Sequence, residues 1–109
     1  INIASNAAVE CDSGRSAYAA SKSAIIAFTK VLAKELGHYN ICVNAIAPGL
    51  VETNMMNEGL SKKILEETIN KTPLKKVGKP EDVAKTILYL ASDQSSHVTG
   101  ETIFITGGY

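Results

Sequence analysis

The chain has 109 residues, with 11 Lys and Arg against 11 Asp and Glu, and is 45% hydrophobic, 20% charged and 6% aromatic, the balance of an ordinary globular domain. This excludes a disordered segment and a collagen-like repeat, and a formal net charge of zero leaves no broad cationic field for a phosphate backbone or an anionic membrane surface. No nucleic-acid partner is expected, and no membrane either, because every apolar run falls far short of the ~18–20 residues that a span requires. Cys11 and Cys42 have no CxxC spacing, and His38 and His97 stand alone, so neither a disulfide framework nor a metal site is expected. Two reduced, partly buried thiols in a cytoplasmic protein are the expectation. The chain starts at Ile1 with no charged-then-apolar leader and reads as a piece of something longer.

In chain order, Ile1–Ser5 reads as a short strand, and the small and polar residues from Asn6 to Arg15 read as a loop. Ser16 to Leu36 holds no Pro or Gly, and Ile25, Phe28, Leu32 and Leu36 form one apolar helical stripe, with Gly37 as the C-terminal stop. Ile41–Ala47 has the β-branched, apolar character of a strand buried on both faces, ended by Pro48-Gly49. Asn54–Asn70 reads as a helix with Leu60, Ile64 and Leu65 on one side, interrupted by Thr72-Pro73. Pro80-Glu81-Asp82 opens another helix, with proline where its missing N–H costs nothing and acids at the positive end of the dipole; Val83, Ile87 and Leu90 or Ala91 carry its apolar face. Thr102–Thr106 reads as a last strand before Gly107-Gly108-Tyr109.

Strand, helix, strand, helices, strand is the order of a parallel α/β sheet. A six-stranded doubly wound sheet needs about 180 residues at roughly 30 per βαβ step, so there is room here for about half of one. The chain has no GxGxxG or Walker-type loop. If a dinucleotide binds, its phosphate cradle lies outside these residues.

Tyr18 and Lys22 stand at i and i+4, on one face of the long helix. A free phenol has a pKa near 10, so at neutral pH it donates a proton readily and accepts one poorly. A cation one turn away favours the phenolate. Bringing such a group to about 7 takes ~4 kcal/mol, within reach of an ammonium joined by a cofactor's charge in a desolvated cleft, and the result is a reversible acid/base for a carbonyl/alcohol pair. Taken alone, the same spacing also describes a tyrosine packed on the core beside a solvated lysine. Ser5, at the end of the first strand, and Pro48-Gly49, at the end of the second, lie where open α/β sheets place their ligands.

Asn2-Ile3-Ala4-Ser5, Tyr18-Ala19-Ala20-Ser21-Lys22, Val43-Asn44-Ala45-Ile46-Ala47-Pro48-Gly49 with Thr53, Pro80-Glu81-Asp82-Val83-Ala84 and Thr99-Gly100-Glu101-Thr102 follow one another over the whole chain. In these motifs the chain resembles the short-chain dehydrogenase/reductase family, and within it the β-ketoacyl-[acyl-carrier-protein] reductases; sugar, steroid and polyol dehydrogenases share the same motifs. The resemblance implies an α/β fold, the C-terminal portion of a doubly wound parallel-sheet Rossmann domain, with residues 1–109 forming its C-terminal half and about 54–72 its substrate lid. It implies an NAD(P)-dependent oxidoreductase that interconverts a carbonyl and a secondary alcohol, with NADP slightly preferred over NAD and a role in fatty acid biosynthesis. Tyr18 would be the proton donor and also touch the coenzyme, Lys22 would favour the phenolate and bind the nicotinamide ribose, and Ser5 would hold the substrate oxygen. Pro48, Gly49, the Val51 backbone and Thr53 would meet the nicotinamide, although Thr53 could instead only cap the helix that follows.

Met55, Met56 and Leu60 are candidates for an apolar substrate pocket, or for ordinary helix packing. Lys62, Lys63, Lys75 and Lys76 could face an acidic acyl-carrier partner or simply solvent. Ala17, Ala20, Ala24, Ala27 and Val31 form a small-residue stripe on the helix that builds a dimer or tetramer interface in the family, so a homo-oligomer through residues 16–36 is expected; a non-catalytic assembly module is the competing reading. Asn44, polar within an apolar strand, requires a fixed partner. Departures from the family pattern are Thr106, where many relatives carry Asp, and the absence of the Gly-rich turn, the coenzyme selector and the catalytic Asn. The chain alone is therefore expected to be inactive.

Overall fold

The apolar, partly β-branched segments around Ile3, Ile46 and Ile103 pair as one sheet in the computed structural model, which describes residues 1–53 and 61–109. Strands β1 (Asn2–Ile3), β2 (Ala45–Pro48) and β3 (Thr102–Ile105) are parallel and lie side by side in chain order. The register pairs Ala45 with Asn2 on one side and Thr102 on the other, and Ile46 with Ile3 on one side and Ile103 on the other. Ala45, Ile46 and Ala47 are fully buried, so the centre of the core is the middle strand. Parallel strands need crossover connections; here α1 (Ala7–Glu10) and α2 (Ser16–Leu36) lead from β1 to β2, and α3 (Lys62–Lys71) and α4 (Pro80–Leu90) lie between β2 and β3.

The second strand begins later than the expected Ile41. Val43 and Asn44 are buried ahead of it: the Asn44 carbonyl accepts the Asn2 N–H at 2.8 Å, whereas Val43 is held by the turn at 98–101, its N–H donating to Thr99 Oγ1 at 3.0 Å and its carbonyl accepting the Gly100 N–H at 2.7 Å. Pro48 closes the strand, where it has only to supply its carbonyl to the Asn6 N–H at 3.0 Å. Asn44 is 2% exposed; its Nδ2 donates to the Val98 carbonyl at 2.7 Å, and its Oδ1 accepts the Glu101 N–H at 3.1 Å. Truncating it orphans both of those groups. Asn44→Ala in the full-length protein is expected to cost on the order of 2–3 kcal/mol and to lower the melting temperature by several degrees; an unchanged melting curve would show that these bonds carry no stability.

Helix α2 turns a different face inward from the expected apolar stripe. Thr29 is fully buried and Ala33 is buried with it, Ile25, Leu32 and Leu36 are half-buried, and Phe28 is 57% exposed. Thr29 can occupy the core position because its hydroxyl is satisfied on both sides, accepting from Asn2 Nδ2 at 2.9 Å and donating to the Ile25 carbonyl at 2.8 Å. Phe28, one residue earlier, is rotated about 100° away. Gly37 stays right-handed and begins a 3-10 turn through Tyr39; the left-handed stop is Asn40, φ 61°, whose N–H bonds the Gly37 carbonyl.

Three further expectations change. Part of the loop expected at Asn6–Arg15 forms the single turn of α1. Cys11 and Cys42 are exposed, not partly buried. The helix expected from Asn54 is described only as α3, and Met55, Met56 and Leu60 lie outside the described residues. Helix α4 follows expectation: Pro80 sits in its first turn, the Asp82 carboxylate accepts the Lys79 N–H at 2.9 Å, and Leu90 is buried with Val83 and Ile87 half-buried. Among the described residues, no helix is long and apolar enough to cross a membrane.

Candidate active site

All three strands point the same way, so the segments leaving their C-terminal ends converge: Ser5 after β1, Gly49 after β2 and Thr106 after β3. The chain crosses over at this end, which brings the first turn of α2, with Tyr18, beside them. Ser5, Tyr18, Pro48, Gly49 and Thr106 line one cleft of about 640 Å³.

Ser5 is half-buried, and its Oγ accepts the Ala7 N–H at 3.2 Å, a serine turn that starts α1. Its carbonyl accepts the Ala8 N–H at 3.0 Å. The backbone therefore fixes the direction of this hydroxyl and leaves its proton available for a bond into the cleft. Tyr18 is 48% exposed. Its partner one turn on, Lys22, holds Nζ 5.8 Å from the centre of the phenol ring, within cation–π range, and donates to the Ile3 carbonyl at 3.0 Å. Lys22 thus lies behind Tyr18, against the strand that carries Ser5, and does not line the cleft itself.

The β2 end is tightly packed. The Gly49 N–H donates to the Ile105 carbonyl at 3.0 Å, and a Cβ on Gly49 would stand 3.3 Å from the Thr106 backbone. A side chain here would oblige Thr106 to give way by a few tenths of an ångström, so glycine suits this close approach. Beyond it, the Leu50 carbonyl and the Glu52 N–H are both bonded to Gly78, so Val51, bridged to Gly78, turns its own N–H and carbonyl the opposite way. Val51 and Thr53 do not line the cleft, and Thr53 is exposed.

The far wall contains residues that the motifs do not single out. Ile64, Thr68 and Lys71 of α3 face the cleft at spacings of four and three, a helical face that periodicity could have identified. Arg15 and Tyr109 also line it. Tyr109 is brought there by the two preceding glycines, which pass so near Thr72 and Pro73 that a Cβ on either would stand 2.9 Å from a side-chain carbon. Thr106, at the departure from the family pattern, accepts the Gly108 N–H at 3.2 Å and so helps shape this turn. Among the described residues, no three His, Cys, Asp or Glu side chains gather as metal ligands.

A donor pair on one strand end and one helix start, backed by an ammonium, can polarise and protonate a carbonyl oxygen placed between them. The family model described as "Enoyl-(Acyl carrier protein) reductase" matches residues 1–109. The 3-oxoacyl-[acyl-carrier-protein] reductase FabG of Thermotoga maritima is 49% identical over 99% of this chain and 44% of its own length. The crystal structure of a 3-oxoacyl-[acyl-carrier protein] reductase from Brucella melitensis superposes with a TM-score of 0.91 at 44% identity, over 98% of this chain and 40% of that one. A 7α-hydroxysteroid dehydrogenase complexed with NADH and 7-oxo glycochenodeoxycholic acid superposes with a TM-score of 0.93 at 34% identity, over 97% of this chain and 42% of that one. The chain thus spans less than half the length of the relatives it matches.

Proposed function

The chain belongs to the short-chain dehydrogenase/reductase family, and on that premise we propose that it is the proton-transfer and nicotinamide-side half of a single Rossmann domain in an NAD(P)-dependent oxidoreductase. The reaction interconverts a carbonyl and a secondary alcohol, and the substrate class is a 3-oxoacyl thioester on an acyl-carrier protein, as in fatty acid biosynthesis in the cytoplasm. The observation that carries this reading is the shared cleft: Ser5 and Tyr18 open into one space at the strand ends, with Lys22 against the back of the Tyr18 ring.

The residues present fit the nicotinamide end of the coenzyme. Gly49 presents bare backbone to the cleft, and Val51, just beyond its lining, turns an N–H and a carbonyl away from Gly78, a donor and an acceptor of the kind a carboxamide takes. Pro48 shapes the same loop, and Thr53 extends it. When bound, the coenzyme supplies or takes the hydride. Tyr18 gives its hydroxyl proton to the substrate oxygen in reduction and takes it back in oxidation. Ser5 donates a second hydrogen bond to the same oxygen and holds it beside Tyr18. Lys22 stabilises the phenolate left after transfer and bonds the nicotinamide ribose. NADP is proposed ahead of NAD, as the resemblance implies. Of the stretch 54–72 read as the substrate lid, α3 supplies the part that lines the cleft, and 54–60 lie outside the described residues.

The substrate class is tested by giving the full-length protein NADPH or NADH with a 3-oxoacyl thioester, a 7-oxosteroid and a ketose. The thioester is expected to have the largest kcat/KM, by at least about tenfold, roughly 1.4 kcal/mol of transition-state preference. A preference for the steroid or the ketose would move the substrate to those classes, and no coenzyme consumption with any of them would overturn the reading.

The protein is proposed to work as a homodimer or homotetramer through α2. Ala17, Ala20, Ala24 and Ala27 are exposed along that helix, beside the exposed Phe28 and Val31. Ala24→Leu is expected to shift the full-length protein to smaller species in light scattering, because a branched side chain prevents close helix approach; an unchanged mass would place the interface elsewhere.

A further inference from the structure

Ser5 lies between two ties to helix α2. Before it, Asn2 Nδ2 donates to Thr29 Oγ1 at 2.9 Å, and the buried Thr29 hydroxyl is anchored in turn on the Ile25 carbonyl at 2.8 Å. After it, Ser23 Oγ donates to the Ala8 carbonyl at 2.8 Å. Ala8 belongs to the single turn of α1, whose Ala7 N–H holds Ser5 Oγ. A four-residue helix does not hold itself together in isolation, so the Ser23 bond constrains where that turn sits and hence where the Ser5 hydroxyl points. None of Asn2, Ser23 and Thr29 lines the cleft.

We infer that Ser23 and Thr29, acting with Asn2, are positioning residues: a two-point tether from the tyrosine-bearing helix that sets the separation and angle between the Ser5 and Tyr18 hydroxyls. This rests on the role proposed above for Ser5. Helix α2 carries Tyr18, Lys22, Ser23 and Thr29 on one rigid body, so both hydroxyls that meet the substrate oxygen are referred to the same helix, one directly and one through the tether. Misplacement of a reacting group by about 1 Å costs on the order of 10²-fold in rate, and a lost tether bond permits a shift of part of that size.

The test uses the full-length protein. Ser23→Ala keeps a good helix former and is expected to lower kcat about tenfold, with KM for the ketone and coenzyme affinity within about twofold of wild type, a partial loss of the kind expected for imperfect placement. Combined with Ser5→Ala, the same change is expected to cost nothing further, because the group it places is gone. Amide exchange at Val9 and Glu10, both bonded to the Asn6 carbonyl in α1, should speed up several-fold in Ser23→Ala. Thr29→Val should also lower kcat, and Thr29→Ser, which keeps the hydroxyl, should restore it. Unchanged exchange at Val9 and Glu10 would overturn the tether whatever the kinetics, and so would an equal loss of kcat with and without the Ser5 hydroxyl. If Ser5→Ala itself leaves kcat unchanged, the role of Ser5 fails, and the exchange rates still decide whether the tether exists.

Discussion

Replacing Tyr18 by Phe in the full-length protein is expected to lower kcat for ketone reduction by ~10²–10⁴-fold, the range for loss of a positioned general acid. The ring stays, so its contact with the Lys22 ammonium at 5.8 Å stays as well, and only the hydroxyl leaves. Tyr18 is half exposed at the cleft and does not belong to the buried core, so melting temperature and oligomer mass should match wild type. With Ser5 in its proposed role of holding the substrate oxygen, KM should change far less than kcat, the mark of an interaction made chiefly in the transition state. Steady-state kinetics beside a melting curve check this. Wild-type turnover in Tyr18→Phe would remove the residue from the chemistry, and a joint fall in turnover and stability would make its role structural.

Replacing Lys22 by Met is expected to weaken coenzyme binding by about 10–100-fold, the equivalent of one hydrogen bond to a charged group at ~1.5–3 kcal/mol, and to lower kcat as well. Ser5→Ala and Tyr18→Phe should leave coenzyme affinity near wild type. The contrast follows from the proposed roles: Ser5 and Tyr18 meet the substrate oxygen in the cleft, whereas the Lys22 ammonium uses one of its three N–H donors on the Ile3 carbonyl and keeps two for the ribose. Nucleotide titration of the three variants measures it directly. Equal weakening in all three would show that Lys22 has no separate part in holding the coenzyme.

Local chemistry was legible in the sequence where it depends on short spacing. Tyr18 and Lys22 share a helix face because four residues make about one turn, and Ser5, Pro48 and Gly49 reach one cleft because parallel strands end on one side. Features decided by distant partners were not legible. Thr29 displaces Phe28 from the inward face because its hydroxyl meets Asn2, 27 residues away, a pairing that no hydrophobic pattern encodes. The start of β2 is set by a turn more than 50 residues later, which takes the backbone N–H and carbonyl of Val43 before the ladder begins. The helix stop moved from Gly37 to Asn40 because a 3-10 turn can extend α2 before the left-handed residue is needed. Asn44 was legible by itself: a polar side chain in a buried strand has to be satisfied, and both ends of its amide are.

The most direct measurement follows one hydrogen. The full-length protein is incubated with a 3-oxoacyl thioester and NAD(P)H deuterated at the transferable position of the nicotinamide, in ordinary water, with Tyr18→Phe alongside. The account predicts that the wild-type product carries one deuterium on the carbinol carbon and a solvent-derived proton on its oxygen, and that Tyr18→Phe forms the same product far more slowly. A reduced product without deuterium, or equal rates from the two proteins, would contradict hydride transfer to a carbonyl held by Ser5 and protonated by Tyr18.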